Sequence, residues 1–145
     1  MTEVERLLAI HDISNLKARY FRCMDTKDWA GFEAVFAADA TADYTPPGGK
    51  PGDWTAAGAA NIVALVKNVV APAITVHHGH MPEIEVTSPT IAKGIWAMED
   101  SIWWPAGSRR QTLHGLGHYH ETYEKAGGKW LIKTLRLTRL RVVET

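Results

Sequence analysis

Residues 56–86 read AAGAANIVALVKNVVAPAITVHHGHMPEIEV, and the period of the apolar residues changes partway along them. Ala59, Ile62, Val63, Val66, Val69 and Val70 recur at three- and four-residue steps, the spacing of one helical face, over Ala56–Val70. Pro72 ends that run. Beyond it the period falls to two, so Ile74–Val86 reads as a strand. Three further strands follow, marked off by their turns. Ser88-Pro89-Thr90 precedes Ile91–Trp104, Pro105-Ala106-Gly107-Ser108 precedes Arg110–Lys125, and Ala126-Gly127-Gly128 precedes Trp130–Val143.

Upstream of the quoted stretch the pattern is helical. Thr2 with Glu5 forms a capping-box signature ahead of Leu7, Ile10, Ile13, Leu16, Tyr20 and Met24, which predicts a helix over residues 3–25. Asp28 can cap a short second helix that groups Trp29, Phe32, Val35 and Phe36. A short strand over Ala40–Thr45 comes next, then the loop Pro46–Gly52, placed to act as a lid. Helices first and strands afterwards predict an α+β domain rather than an alternating α/β one. The expectation is a single domain, 1–145, with three helices in its N-terminal half and a curved, cone-shaped mixed or antiparallel sheet. Such a cone is open at one end.

The 145 residues suffice for one substantial core, and 46% hydrophobic with 22% charged residues is ordinary for a soluble globule. Lysine and arginine (16) balance aspartate and glutamate (16), which argues against nucleic acid or an anionic membrane as partner. Only a stripe of Arg136, Arg139 and Arg141 would qualify that. A lone cysteine, Cys23, excludes an intrachain disulfide. The acidic start lacks the features of a signal peptide, and no apolar stretch reaches the length of a membrane span, so a cytoplasmic address is expected.

Titratable residues at inward-facing positions are few. Tyr20 shares the apolar face of the first helix, and Asp25 stands at its end. With Lys93 and Glu99 facing water, alternation turns Asp100 inward beside Trp96 and Met98. It turns Ile95 and Ala97 outward, an apolar outer face suited to subunit contact. In Val76-His77-His78-Gly79-His80-Met81-Pro82, alternation from Ile84 and Val86 puts His78 and His80 inside. Gly79 and Pro82 favour a bulge, which would reverse that parity and bring in His77 instead.

The run Leu16–Trp29 resembles the opening of SnoaL-like proteins of the nuclear transport factor 2-like superfamily. Phe36–Ala40, His77 before Ile84-Glu85-Val86, Gly94–Asp100, and Tyr119–Tyr123 followed by Gly128-Lys129-Trp130 continue the likeness over nearly the whole chain. In scytalone dehydratase, bile acid 7α-dehydratase and hexachlorocyclohexane dehydrochlorinase, an Asp at the end of the first helix pairs with a His on the first long strand. The resemblance implies those roles for Asp25 and His77, and so selects the bulge. It implies supporting catalytic roles for Tyr20 and Asp100, no metal or organic cofactor, and a homodimer or homotrimer assembled through the sheet. The implied chemistry is proton abstraction with dehydration or a double-bond shift. A histidine oriented by a carboxylate is a base suited to neutral pH. Six tryptophans suit a flat, ring-containing, mostly apolar substrate of polyketide or steroid-like kind, with Tyr44, Trp54, Trp96, Met98 and Tyr119 as expected contacts.

Other roles compete for the same residues. Tyr20 could serve only as a core aromatic, Asp25 as a cap for the second helix, and Asp100 as partner to an arginine such as Arg110. His118-Tyr119-His120 with Glu124, and His78, His80 and His114, offer a metal-binding alternative, but the glycine pattern and second motif of a cupin are missing. The third alternative is a pocket that binds a small molecule without turning it over.

Overall fold

The computed structural model describes residues 1–145. Its elements run α1 (Glu3–Asp25), α2 (Trp29–Glu33), β1 (Phe36–Asp43), β2 (Thr55–Ala57), α3 (Ala59–Val70), β3 (Ile74–Ser88), β4 (Ile91–Trp103), β5 (Thr112–Ala126) and β6 (Lys129–Glu144). The capping box forms as the sequence predicts, with the Glu5 N–H donating to the Thr2 hydroxyl and Glu5 Oε2 accepting from the Thr2 N–H. Asp28 caps α2 by accepting from the Gly31 N–H, which leaves Asp25 free for other partners. No helix is long and apolar enough to cross a membrane.

The six strands form one sheet in the order β2-β1-β6-β5-β4-β3. All neighbours are antiparallel except β1 and β6, which run parallel, so the curved sheet is mixed. Two details depart from the sequence reading. The first strand starts at Phe36 rather than Ala40, because Phe36 pairs across to Ile132 before a register shift ahead of Thr41. The three-residue β2 went unpredicted. It is held by pairing with Thr41–Asp43 and carries no apolar alternation of its own. Gly58, at φ 91°, turns the chain out of β2 and starts α3 at Ala59, later than periodicity alone placed it.

Ile13, Leu16, Tyr20, Phe32, Ile62 and Ile132, all with almost no exposed surface, form the centre of the core between the helices and the concave face of the sheet. The β3–β4 register runs evenly from Ile74↔Trp103 to Gly79↔Met98, then resumes at Pro82↔Trp96. Three steps on β3 therefore match two on β4, the signature of one inserted residue. Thr75 and His77 point inward before this bulge and Val86 after it, while His78 and His80 are exposed. Simple alternation is thereby corrected. A side chain at Gly79 would put its Cβ 2.6 Å from the Phe21 ring, so any larger residue would have to displace that ring where the bulge meets α1. On β6 Arg139 keeps the inward facing of Leu135 and Leu137, and a register shift beyond it separates it from Arg141; Arg136 and Arg141 are exposed, so no inward-facing basic stripe forms.

Candidate active site

The last turn of α1 delivers Asp25 to the start of β3. Its Oδ1 lies 2.7 Å from His77 Nδ1 and accepts from the Thr75 hydroxyl at 2.9 Å, while Oδ2 accepts from the His77 backbone N–H at 2.8 Å. An ionised carboxylate only accepts, so the ring proton of neutral His77 belongs on Nδ1 and Nε2 carries a lone pair. Partial burial works against the Asp25 charge, but the bonds from His77 and Thr75 outweigh it and hold this carboxyl below the usual range. The imidazole lies nearly parallel to Phe21, at 14° and 6.3 Å between centroids, so packing as well as hydrogen bonding fixes its plane.

On the far side of the ring, His77 Nε2 stands 3.7 Å from Asp100 Oδ2. Both Asp100 oxygens accept from Arg139, at 2.6 and 2.8 Å, in a bidentate pair whose carboxylate is buried. Burial opposes the Arg139 charge, yet the bonds to Asp100 more than compensate and raise this group above its ordinary value. Asp100 thus pairs with Arg139, not Arg110. Arg110 lies at the mouth, 3.7 Å from Glu144.

A cavity of about 140 Å³ opens beside these groups. Its lining combines the polar Tyr20, Tyr44, His77, Asp100, Tyr119 and Arg139 with aliphatic residues of α3 and the sheet and with Pro46, Trp54 and Trp104. The Tyr20 and Tyr44 hydroxyls are 2.8 Å apart. Burial raises the titration of Tyr20, Tyr44 and Tyr119, so all three stay protonated donors at neutral pH. Behind two of these rings, Lys17 is fully buried against Glu121, its Nζ 3.7 Å from the Tyr20 ring centroid and 3.6 Å from that of Tyr119. Burial pushes Lys17 down to about 8, in spite of Glu121.

Of the residues expected from sequence, Tyr20, His77, Asp100, Tyr44, Trp54 and Tyr119 line the cavity, and Asp25 stands behind His77. Trp96 and Met98 do not line it. Trp96 is in the core, donating its indole N–H to the Tyr123 hydroxyl at 2.8 Å, and the Met98 sulfur is buried 3.9 Å from Arg139. Correct strand parity turned them to the concave side, but both are taken up there by packing. Sequence reasoning missed Arg139 as a site residue, while Trp104, one of the tryptophans suited to a flat ligand, does line the cavity. Arg139 shares parity with the inward Leu135 and Leu137, a signal that was available. The histidines offered as metal ligands lie on other surfaces. His118 and His120 have ring centroids 6.2 Å apart on the convex face, and no group of three metal-ligating side chains converges anywhere.

These polar groups share one cavity with mostly apolar side chains, on a curved six-stranded sheet with three helices, the nuclear transport factor 2-like fold. Residues 5–136 match the SnoaL-like domain, and the chain belongs to that family. The Gibberella zeae protein "Probable cyclase FGR4" is 31% identical over 137 residues, covering 88% of this chain and 89% of the relative. A scytalone dehydratase-like protein of Novosphingobium aromaticivorans superposes with a TM-score of 0.86 at 18% identity, over 99% of this chain and 92% of that one. Hexachlorocyclohexane dehydrochlorinase LinA-type3 of Novosphingobium barchaimii gives 0.82 at 20% identity, over 99% and 94%. At these identities the two solved structures speak for the fold.

Proposed function

We propose that the protein is a cofactor-free lyase or isomerase that removes a proton next to a carbonyl, leading to dehydration or a double-bond shift in a ring-containing, mostly apolar small molecule. The observation that carries this reading is the placement of His77: Nδ1 is tied to Asp25, and the ring borders the cavity beside Asp100. A relative named as a cyclase and fold neighbours named for dehydration and dehydrochlorination support it.

In the dehydration form, Nε2 takes the α-proton while the C–H electrons form the enolate, whose oxygen accepts from the Tyr20 and Tyr44 hydroxyls. The enolate then collapses to a conjugated double bond, and the β-hydroxyl departs with the proton from His77 as water. Asp25 orients the ring and stabilises the imidazolium. Asp100 has both oxygens engaged by Arg139, so its part is to face the imidazolium rather than to donate a proton. Arg139 is already neutralised by Asp100, and Arg110 faces Glu144, so the pocket favours an uncharged ligand.

The test incubates wild-type, His77→Gln and Asp25→Asn proteins with cyclic β-hydroxy ketones in D2O. Water loss and α-deuterium uptake are followed by mass spectrometry. Both reactions belong to the wild type and fall in the variants. Ketone binding without turnover in any form would make the chain a binding module instead. The same reading includes a homodimer or homotrimer formed through the convex sheet face, where Ile95 is 37% and Trp103 45% exposed. Light scattering on the eluted protein gives its mass directly.

A further inference from the structure

Lys27 is the only residue other than glycine with positive φ, at 61°. It occupies the position just after the α1 C-cap Thr26. Its N–H reaches the Met24 carbonyl at 3.2 Å and the Asp28 N–H reaches the Cys23 carbonyl at 2.8 Å, the paired bonds of a Schellman ending. That position belongs by preference to glycine, because the left-handed backbone crowds the Cβ of every other residue. A lysine here is held against its backbone preference, so its side chain is the part to examine.

That side chain turns back toward the site. Lys27 Nζ lies 2.9 Å from the Thr75 hydroxyl, and that hydroxyl lies 2.9 Å from Asp25 Oδ1, the oxygen that also faces His77 Nδ1. An ammonium only donates and a carboxylate only accepts, so the direction of the relay is fixed: Lys27 to Thr75, Thr75 to Asp25. Thr75 is 3% exposed, so this contact is shielded from bulk water. The relay thus aims the Thr75 proton at the carboxylate and leaves the other Asp25 oxygen to the His77 backbone.

We propose that Lys27 is a positioning residue for the Asp25–His77 pair, acting through the Thr75 hydroxyl to hold Asp25 ionised and in place. The inference takes from the proposed function only that this pair is the working one. Burial depresses Lys27 while Asp25 opposes that depression, in keeping with a charge brought in toward a carboxylate. The groups that face Asp25 are Thr75 and His77 of β3, with Asp100 and Arg139 beyond the imidazole, and Arg22 exposed in the last turn of α1.

The experiment is a carbon-13 titration of the Asp25 carboxyl in the full chain, which needs no substrate. Lys27→Gly and Lys27→Met raise its midpoint by about half to one pH unit, since a cation near a carboxylate lowers its titration by a comparable or larger amount. Lys27→Arg keeps the charge and stays near the wild-type value, and Thr75→Ser keeps the hydroxyl and does the same. Thr75→Val raises the midpoint, and adding Lys27→Met to it shifts the midpoint less than Lys27→Met does alone. Lys27→Gly supplies the residue the turn prefers, so a folded variant with an unmoved midpoint would show a plain helix cap and overturn the proposal. Failure of the catalytic reading shows elsewhere, as turnover that survives His77→Gln.

Discussion

Asp25 holds His77 at two points, its Oδ1 at 2.7 Å from the ring Nδ1 and its Oδ2 at 2.8 Å from the backbone nitrogen of the same residue. A single carboxylate therefore fixes both the tautomer of the ring and the strand that carries it. Asp25→Asn replaces an acceptor-only group with an amide that can donate to the ring. The expected result is a mixture of His77 tautomers in nitrogen-15 spectra. With a turned-over ketone, a rate loss on the order of a hundred- to ten-thousand-fold accompanies it.

The same interaction sets an acid limit. Asp25 titrates lower in the folded chain than its ordinary 3.8, so its contribution to stability is complete above that value and is lost as pH falls through the folded one. The unfolding free energy from urea titrations should fall less steeply between about pH 5 and about pH 2 for Asp25→Asn than for the wild type. Parallel curves for the two proteins would remove Asp25 from the account.

Arg139 and Asp100 form a buried pair in which each satisfies the other. Arg139→Met leaves the carboxylate without its partner and should cost about 3–5 kcal/mol in urea unfolding. Adding Asp100→Asn should recover much of that loss. A single variant as stable as the wild type would contradict the pairing.

At the alkaline side the dependence has the same sense, stability rising with pH, but through a depressed lysine. Lys17 titrates at about 8 when folded, against 10.5 ordinarily, so between those values the unfolded chain binds the extra proton. Stability from this group therefore rises as pH climbs through 8 toward 10.5, and is lost as pH falls back. Over the whole window the gain is on the order of 3 kcal/mol. The double variant Lys17→Met with Glu121→Gln should unfold without this rise. Equal slopes in the two proteins would rule the buried lysine out as its source.

Gly115 makes room for the pair on the floor of the pocket. A Cβ there would lie 2.0 Å from Arg139 Nη1 and 2.5 Å from Asp100 Oδ1. Gly115→Ala should displace the guanidinium and lower stability by about 1–3 kcal/mol, with turnover reduced as well. A crystal structure of the variant with both hydrogen bonds intact would show that neighbouring strands absorb the methyl group.

Much of this was legible in the sequence because the periodic elements are long. α1, β4, β5 and β6 each repeat their apolar pattern often enough to fix period and facing, and Asp100 inward was read from that alone. Periodicity failed where the backbone leaves its regular path. One inserted residue between Gly79 and Pro82 reversed the facing of the three nearby histidines, so likeness to known proteins, not alternation, picked out His77. Nor could strand facing distinguish cavity from core. Trp96 and Met98 face the concave side as expected, but whether a concave side chain meets space or another side chain depends on partners far away in sequence, such as Tyr123 and Arg139. The Lys27–Thr75 relay lay hidden for the same reason, since its two members are separated by 48 positions.

The irregular step in β3 also gives the strand a division of labour. Its first half presents the imidazole to the hollow, while its second half lays Val86 against the core. Paired as an even ladder without that extra step, the same residues would set His77 and Val86, nine positions apart, on opposite faces, with either the base or the hydrophobic anchor turned to solvent. Here the one out-of-step residue lets a single strand serve folding and chemistry together.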